Sequence, residues 1–533
     1  MGPILLKLTQ YLKEVVKSEF DVDLAESVLW EPSAKLEFGD LSATIALKLA
    51  KQLEKSPVDI AEIIKSALEE KIKDVADDIR IVKPGFINIF LSSRILSGML
   101  DEFLKSGRDF FKGKDGRKVL IEYVSANPTG PLSVAHGRQA VVGDAIASVL
   151  EFCGDKVTRE YYLNDAGTQL TIFTESVKAW VIHLRTGNQL VLPDGGYKGE
   201  YLRDVAQAAI DENIAENDIT SFSVQKMVDV IKASCGALGL KDFDIWFSQQ
   251  KLIDDGHVEG AISFLKDKGL IYEDTDAVWF KSTDFGDDKD RVIRKADGDL
   301  TYFASDIAYH KDKLDRGYDF LIDLWGPDHH GYIARVQSAI KAMGYPDEML
   351  KVIIIQLVTL KTKERMSKRA GKMILVSELV DDVGKDAARF YYLSRRNSSH
   401  LEFDVDLAKE ASVNNPLYYV QYVCARISSI MRKAEWSDNA YDFSVFTDDD
   451  KFLLRNLFQF YFALQKAYST CEPVFIIEYL KSLAAVFHKF YECNRVLEGD
   501  LHLMRARLVL LRAVYMLMSC GLGVLGISVV DEM

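Results

Sequence analysis

The sequence predicts an α/β Rossmann-type domain with an insertion, preceded by a small α+β N-terminal domain and followed by an all-α C-terminal helical bundle. Three observations carry this. Between about residues 112 and 403, short apolar runs alternate with helical periodicity, the pattern of βαβ units in a parallel sheet. Residues 1 to about 111 form a separate pattern of helical stripes with one paired-strand signal. From about residue 404 onward strand signals all but vanish.

In order along the chain, Leu5, Leu8, Leu12 and Val15 mark a first helical stripe, and Ile45, Leu47 and Leu49 lie in a second over residues 42–53. Residues 80–90 read as two short strands about the turn Pro84-Gly85. The stretch Lys112–Arg117 is a linker. Lys118–Val124 is apolar enough for a buried parallel strand. A Pro- and Gly-rich loop, SANPTGPLSVAHG, leads into a helix that runs to Phe152 and stops at Gly154. Val157–Leu163 resumes a strand. The same grammar returns as strand Phe320–Trp325, loop GPDHHG and helix Tyr332–Met343, stopped by Gly344. Val352–Leu360 reads as one more strand and runs into the basic loop KTKERMSKRAGK. Residues from about 165 to 290, mixed and more charged, are expected as the insertion. In the last region, amphipathic stretches at Asp450–Thr470, Pro473–Leu497 and Met504–Cys520 predict the bundle. The tail Leu508–Val530 is apolar enough to raise a membrane span. Arg512 lies within it and Gly521, Gly523 and Gly526 break it, so a buried helix and a turn are expected and no membrane.

Composition narrows the function. Hydrophobic residues at 48% and charged residues at 27% are ordinary for a globular protein and exclude a disordered or collagen-like chain. Lys and Arg number 66 against 80 Asp and Glu, a net charge of −14, which excludes a bulk electrostatic binder of nucleic acid. A nucleic-acid partner then requires local basic clusters. The six cysteines are scattered, with no CxxC and no His/Cys cluster. Neither a disulfide framework nor a metal site is expected, and a reducing, cytoplasmic compartment is. No signal peptide is read at the start, where Lys7 and Lys13 interrupt the apolar pattern.

Four constellations bear chemistry. The loop Asn127–Leu132 ends a strand and opens a helix, whose free N–H groups suit phosphate, with His136 placed to donate a hydrogen bond. By itself the loop also reads as a turn closed by a capping histidine. Arg365-Met366-Ser367-Lys368-Arg369 with Gly371 would close Lys368 over a polyphosphate and stabilise a leaving pyrophosphate; alone, it is equally a solvated charge run. Tyr302 and Asp306, one helical turn apart, share a face, and a phenol beside a carboxylate suits a planar cation. Asp328-His329-His330 invites a metal, but adjacent side chains diverge, so a polar rim on a nucleotide pocket is the better reading.

Taken together, EYVSANPTGPLSVAHGR, YYLNDAGTQ, DGDLTYFASDIAYHKDK, WGPDHHGYIARV, ERMSKRAG, GKDAARFYYLSRR and NNPLYYVQYVCARISSIMRK closely resemble the arginyl-tRNA synthetases, a class I aminoacyl-tRNA synthetase family. The resemblance covers nearly the whole chain. Ser133-Val134-Ala135-His136 is similar to the family's His-Ile-Gly-His motif, with serine for the first histidine and alanine for the glycine. Arg365–Lys368 is similar to its Lys-Met-Ser-Lys motif, with arginine for the first lysine.

The resemblance implies an arginine–tRNA ligase, with activation that depends on bound tRNA. ATP with Mg²⁺ would bind on Asn127, Pro128, Thr129, Gly130, Pro131 and His136, on Gly326, Asp328 and His329, and on Met366, Ser367 and Lys368. His136, Lys368 and Ser133 would be the catalytic set. Asp306 would pair with the arginine guanidinium and Tyr302 would bound its pocket. Glu122, Ser125 and Asn127 would hold the amino-acid end, and His330 would line the wall. A site of this kind needs no editing domain. Domain boundaries follow at 1–111, which would bind the tRNA elbow, 112–403 for catalysis and 404–533 for the anticodon. Phe86 and Asn88 would contact a base at the elbow, or else be a strand-core phenylalanine and a turn asparagine. Tyr418, Tyr422 and Arg426 would contact the anticodon region. The partners are tRNA(Arg), L-arginine and ATP, and the chain is expected as a monomer.

Overall fold

The computed structural model describes residues 1–25, 28–113, 116–361, 374–434 and 441–533. They form two compact units. One joins residues 1–112 with 411–524 and 528–533, and the other holds residues 113–410 with 525–527.

In the first unit, helix Gly2–Phe20 buries Leu5, Leu8, Leu12 and Val15, the stripe read from the sequence. Four antiparallel strands lie in the order Glu31–Pro32, Leu41–Ala43, Phe86–Leu91, Ala76–Val82. Helix Ser93–Ser106 follows the sheet, and the C-terminal part adds, among the described residues, helices Pro416–Ala434, Asp448–Phe458, Phe460–Thr470, Val474–Cys493 and Leu501–Val524. Phe110 and Phe111 of the N-terminal part pack against Phe458 and Phe460, ring centroids 5.8 and 5.0 Å apart, so the two parts share apolar packing. Helix Leu501–Val524 is long and apolar enough to cross a membrane, yet 67% of its most apolar window is buried. Its Arg507 pairs with buried Asp450 at 2.9 Å, the placement of a core helix.

The second unit is built on β1 (Lys118–Glu122), α1 (Val134–Cys153), β2 (Lys156–Leu163), β3 (Ile245–Ser248), α2 (Tyr302–Asp315), β4 (Phe320–Trp325), α3 (Ile333–Ala342) and β5 (Leu350–Ile354). The strands are all parallel in the order β5-β4-β1-β2-β3. Connections run outward from β1 in both directions, so a switch point lies between β1 and β4, where such sheets bind ligands. Gly143 lets α1 sit on β1: a Cβ there would lie 2.3 Å from the Tyr123 ring.

Two elements differ from the sequence reading. Ile245–Ser248 falls inside the expected insertion yet joins the sheet beside β2. It is four residues long and partly exposed along its length, so no buried run announces it. The stretch Val352–Leu360 is two strands, not one. Leu350–Ile354 joins the parallel sheet, while Val358–Lys361 pairs with Leu401–Asp404. The chain bends between them, where the Gln356 N–H donates to the Asn397 carbonyl. Helices Thr168–Thr186, Tyr201–Asp211 and Ile219–Ala237 form their own cluster around Phe173, Val177, Leu202 and Ala206.

Candidate active site

The floor of the site is a row of acids. Glu160, Glu122 and Asp323 are register neighbours on β2, β1 and β4. Three carboxylates side by side inside a sheet demand cations, and α2 with the residue after it supplies them. The Lys313 Nζ, fully buried, donates to Glu122 at 2.6 Å and to Asp323 at 2.8 Å. Arg316 grips Glu160 through two nitrogens at 2.6 and 3.1 Å, and the Tyr309 hydroxyl donates to it at 2.7 Å. His310 places Nε2 2.9 Å from Asp323 and Nδ1 2.8 Å from the Asp306 carbonyl.

Burial opposes charge on Asp323, Glu122 and Lys313. On Asp323 the nearby Lys313 ammonium, with His310, prevails and holds the carboxyl down to about 2. On Lys313, Asp323 and Glu122 outweigh burial and hold the ammonium above its usual value. Glu122 shares Lys313 but goes the other way: burial and neighbouring Asp323 push its carboxyl up. Lys313 thus bridges two acids, 2.6 Å from Glu122 and 2.8 Å from Asp323.

Above this floor lies a cavity of about 740 Å³, within the range of small-molecule sites. Of the residues read from the sequence, Glu122, Ser125, Asn127, His136, Tyr302, Asp306, Gly326, Asp328 and His329 line it. The chain enters the first loop strained. Val124 (φ 70°) and Ser125 (φ 39°) are left-handed, at a cost of about 1–3 kcal/mol each. The turn is held by Ser125 Oγ donating to Glu122 at 2.8 Å and accepting from the Tyr162 N–H at 3.1 Å. Further along, Asn127 Nδ2 donates to Gln169 at 2.5 Å, and Tyr201 Oη donates to the Thr129 carbonyl at 2.6 Å. Pro128, Thr129, Gly130 and Pro131 do not themselves line the cavity; they are the back of the loop, clamped by residues from the helices beyond β2.

Ser133 does not line the cavity either. It is the N-cap of α1 in a reciprocal capping box with His136. The Ser133 N–H lies 3.2 Å from His136 Nδ1. A backbone N–H only donates, so Nδ1 accepts and the ring proton sits on Nε2. Burial lowers the imidazole's proton affinity, which favours that neutral form. His136 is thus a fixed neutral N–H donor, and Ser133 acts through it.

Asp306 brings a half-buried carboxylate of α2 to the cavity. Its carboxylate accepts from Tyr332 Oη at 2.5 Å, and burial pushes its carboxyl up. Tyr302 stands at the mouth, 68% exposed. His330, expected on the wall, is exposed and does not line the cavity. The turn Pro327–Tyr332 is 3₁₀, and Tyr332, two residues on, enters the cavity instead. Met366, Ser367 and Lys368 lie outside the described residues. The chain just beyond them is fixed against the first loop: the Val134 N–H donates to the Ile374 carbonyl at 3.1 Å and the Val376 N–H to the Leu132 carbonyl at 2.9 Å. Among the described residues no cluster of three or more His, Cys, Asp or Glu side chains suits a metal ion.

In the other unit, Asn88 is buried within its strand between Ser42 and Arg80, so it is neither a turn residue nor open to a base as it stands. Phe86, at the start of that strand, is half-buried. Tyr418 and Tyr422 stack with centroids 6.2 Å apart, and the Arg426 guanidinium lies over the rings of Tyr422 and Tyr491.

Sequence reasoning missed Lys313, His310, Arg316, Tyr309 and Tyr332. One signal was present. Glu122, Glu160 and Asp323 each interrupt a run suited to a buried strand, and a charge there requires a buried partner.

Comparison with known proteins bears on the same segments. The family described as "Arginyl tRNA synthetase N terminal domain" matches residues 6–91, "tRNA synthetases class I (R), catalytic domain" matches 99–189 and 198–409, and "DALR anticodon binding domain" matches 420–533. The chain is 40% identical to the arginine–tRNA ligase of Syntrophotalea carbinolica, over 99% of this chain and 100% of that one. It is 38% identical to that of Thermotoga maritima, over 99% of both. The arginyl-tRNA synthetase of Thermus thermophilus shares the fold, with a TM-score of 0.80 at 22% identity over 99% of both chains. End-to-end identity of this order, with matches to all three of these domain families in sequence order, means that the chain belongs to the arginyl-tRNA synthetase family.

Proposed function

We propose that the cavity at the β1/β4 switch point joins L-arginine to ATP and passes the arginyl group to tRNA(Arg), so that the chain is an arginine–tRNA ligase. The observation that carries this is the pairing, in one cavity, of a half-buried carboxylate, Asp306, with a neutral N–H donor, His136, at a helix start. Asp306 takes the guanidinium while Tyr302 bounds the mouth. Ser125 and Asn127, beside Glu122, hold the amino-acid end. His136 Nε2–H donates to a phosphate oxygen. An oxygen of the arginine carboxylate attacks the α-phosphorus, and the bond to the leaving pyrophosphate breaks, giving arginyl-adenylate. Lys368 would meet the charge growing on pyrophosphate. The terminal adenosine hydroxyl of tRNA then attacks the acyl carbon, losing its proton, and AMP leaves. The chain's part is positioning and charge stabilisation.

Activation waits on bound tRNA, Mg²⁺ accompanies ATP, and the chain acts as a monomer in the cytoplasm, where its six free cysteines stay reduced. The division at 1–111, 112–403 and 404–533 gives tRNA-elbow, catalytic and anticodon parts, with Phe86, Tyr418, Tyr422 and Arg426 as stacking and charge contacts for unpaired bases.

Arginine-dependent ATP–pyrophosphate exchange, with and without tRNA(Arg), tests this. Exchange with arginine and tRNA together is expected. Exchange driven by another amino acid, or none with arginine and tRNA present, would overturn it. Tyr201 gives a second test, since its hydroxyl clamps the loop at Thr129. Tyr201→Phe should raise the KM for ATP by about threefold to tenfold, the worth of one hydrogen bond. The KM for arginine should stay near its parent value in the same exchange assay.

A further inference from the structure

We propose that Tyr332 is a specificity-determining residue of the arginine site, acting through Asp306: its hydroxyl fixes the plane of the Asp306 carboxylate so that the remaining acceptor positions match a planar guanidinium. This rests on the reading of Asp306 as the guanidinium acceptor and adds a residue that neither sequence motif contains.

The backbone of Asp306 is already pinned. It sits in the first turns of α2, and its carbonyl lies 2.8 Å from His310 Nδ1, whose other nitrogen lies against Asp323. What stays free is rotation about the bond to the carboxylate, a broad torsion that packing alone defines poorly. Among the described residues, the Tyr332 hydroxyl is the single hydrogen-bond partner of that carboxylate, at 2.5 Å on Oδ2. The phenol is itself held. Its ring packs near Phe303 and Trp325, with centroids 6.1 and 6.2 Å away, and the Arg335 guanidinium lies 5.0 Å over it.

A carboxylate has about four acceptor positions. Tyr332 takes one on Oδ2, leaving another there and both on Oδ1. A guanidinium fork uses one from each oxygen. Lysine offers a single point charge and gains nothing from a fixed plane. Citrulline, of nearly the same shape, turns a carbonyl oxygen toward the carboxylate in place of an N–H pair, and two acceptors then face each other.

The hydroxyl also favours the ionised form of Asp306. Burial pushes that carboxyl up and the Tyr332 hydrogen bond pulls it back. The other titratable groups facing it are His310 and Lys313 from α2, His329 from the 3₁₀ turn and Tyr162 from β2. Without the hydroxyl, Asp306 takes a proton at higher pH, and the protonated acid can donate to the citrulline oxygen.

The test is Tyr332→Phe beside Asp306→Asn in the full-length protein, with pyrophosphate exchange in the presence of tRNA. The readouts are the KM for arginine and for ATP, inhibition by citrulline and by lysine, and the pH profile. Tyr332→Phe should raise the KM for arginine about tenfold, as loss of one hydrogen bond to a charged group does. The KM for ATP should be unchanged, the preference for arginine over citrulline should shrink, and the acid limb of kcat/KM for arginine should move to higher pH. A parent-like arginine KM and citrulline ratio, or arginine and ATP KM rising together, would overturn the proposal. If Asp306→Asn loses arginine use while Tyr332→Phe behaves as the parent, the role of Tyr332 alone fails. If Asp306→Asn itself uses arginine normally, the site reading beneath it fails too.

Discussion

Asp306→Ala is expected to lower kcat/KM for arginine by about a thousandfold, the equivalent of about 4 kcal/mol, while the KM for ATP changes little. The size follows from the water lost when the pair forms. Asp306 lies within the cavity on α2, and a guanidinium brought against it leaves water behind. Once the carboxylate is gone, the cation loses the acid of α2 beside it: Glu122 and Asp323 already face Lys313, and Asp328 lies exposed beside His329. The selectivity for ATP follows from chain geometry. His136 and its cap Ser133 belong to α1, a different element from the one that carries Asp306. Steady-state exchange kinetics in the presence of tRNA separate the two KM values. A fall in ATP use equal to the fall in arginine use would mean that Asp306 holds the cavity together rather than the substrate.

Lys313→Met is expected to destabilise the catalytic unit by about 3–5 kcal/mol, because it strands buried carboxylates without their cation. Lys313 is fully buried and its ammonium is within 2.8 Å of two acids. The pH dependence has a definite sign. The Asp323 carboxyl is held at about 2 in the folded chain against an ordinary 3.8. Its stabilising contribution is therefore complete above the ordinary value and is lost as pH falls toward 2. The variant lacks that contribution, so the gap to the parent should be widest near neutrality and narrow in acid. Urea unfolding at several pH values measures it. Lys313→Met combined with Asp323→Asn should recover part of the loss, since one stranded charge is then removed. A gap that stays constant from neutral to acid pH would show that the lysine contributes packing alone.

The βαβ rhythm, the stop at Gly154, the strand pair about Pro84-Gly85 and the terminal bundle were all legible, because each is written in local periodicity or in a residue that ends an element. The division of Val352–Leu360 was not. An apolar run looks the same straight or bent, and the bend depends on Asn397, far along the chain. Strand Ile245–Ser248 escaped because four partly exposed residues leave no pattern.

The site divides in the same way. Asp306, His136, Asn127 and Glu122 announced themselves through spacing and resemblance, and all line the cavity. Nothing in the sequence singles out Lys313. Only the register that sets Glu122 beside Asp323 turns it into a buried bridge. His330 and Tyr332 were exchanged for a similar reason. A histidine pair draws the eye in a sequence, but the 3₁₀ turn decides which side chain enters the cavity.

The most direct measurement is a crystal structure of the full-length chain with L-arginine, a non-hydrolysable ATP analogue and tRNA(Arg). The guanidinium should lie on the Asp306 carboxylate, and the triphosphate should be reached by both His136 Nε2 and Lys368 at the carboxyl ends of β1 and β4. A guanidinium bound away from Asp306, or a triphosphate that one of those two side chains does not touch, would contradict it.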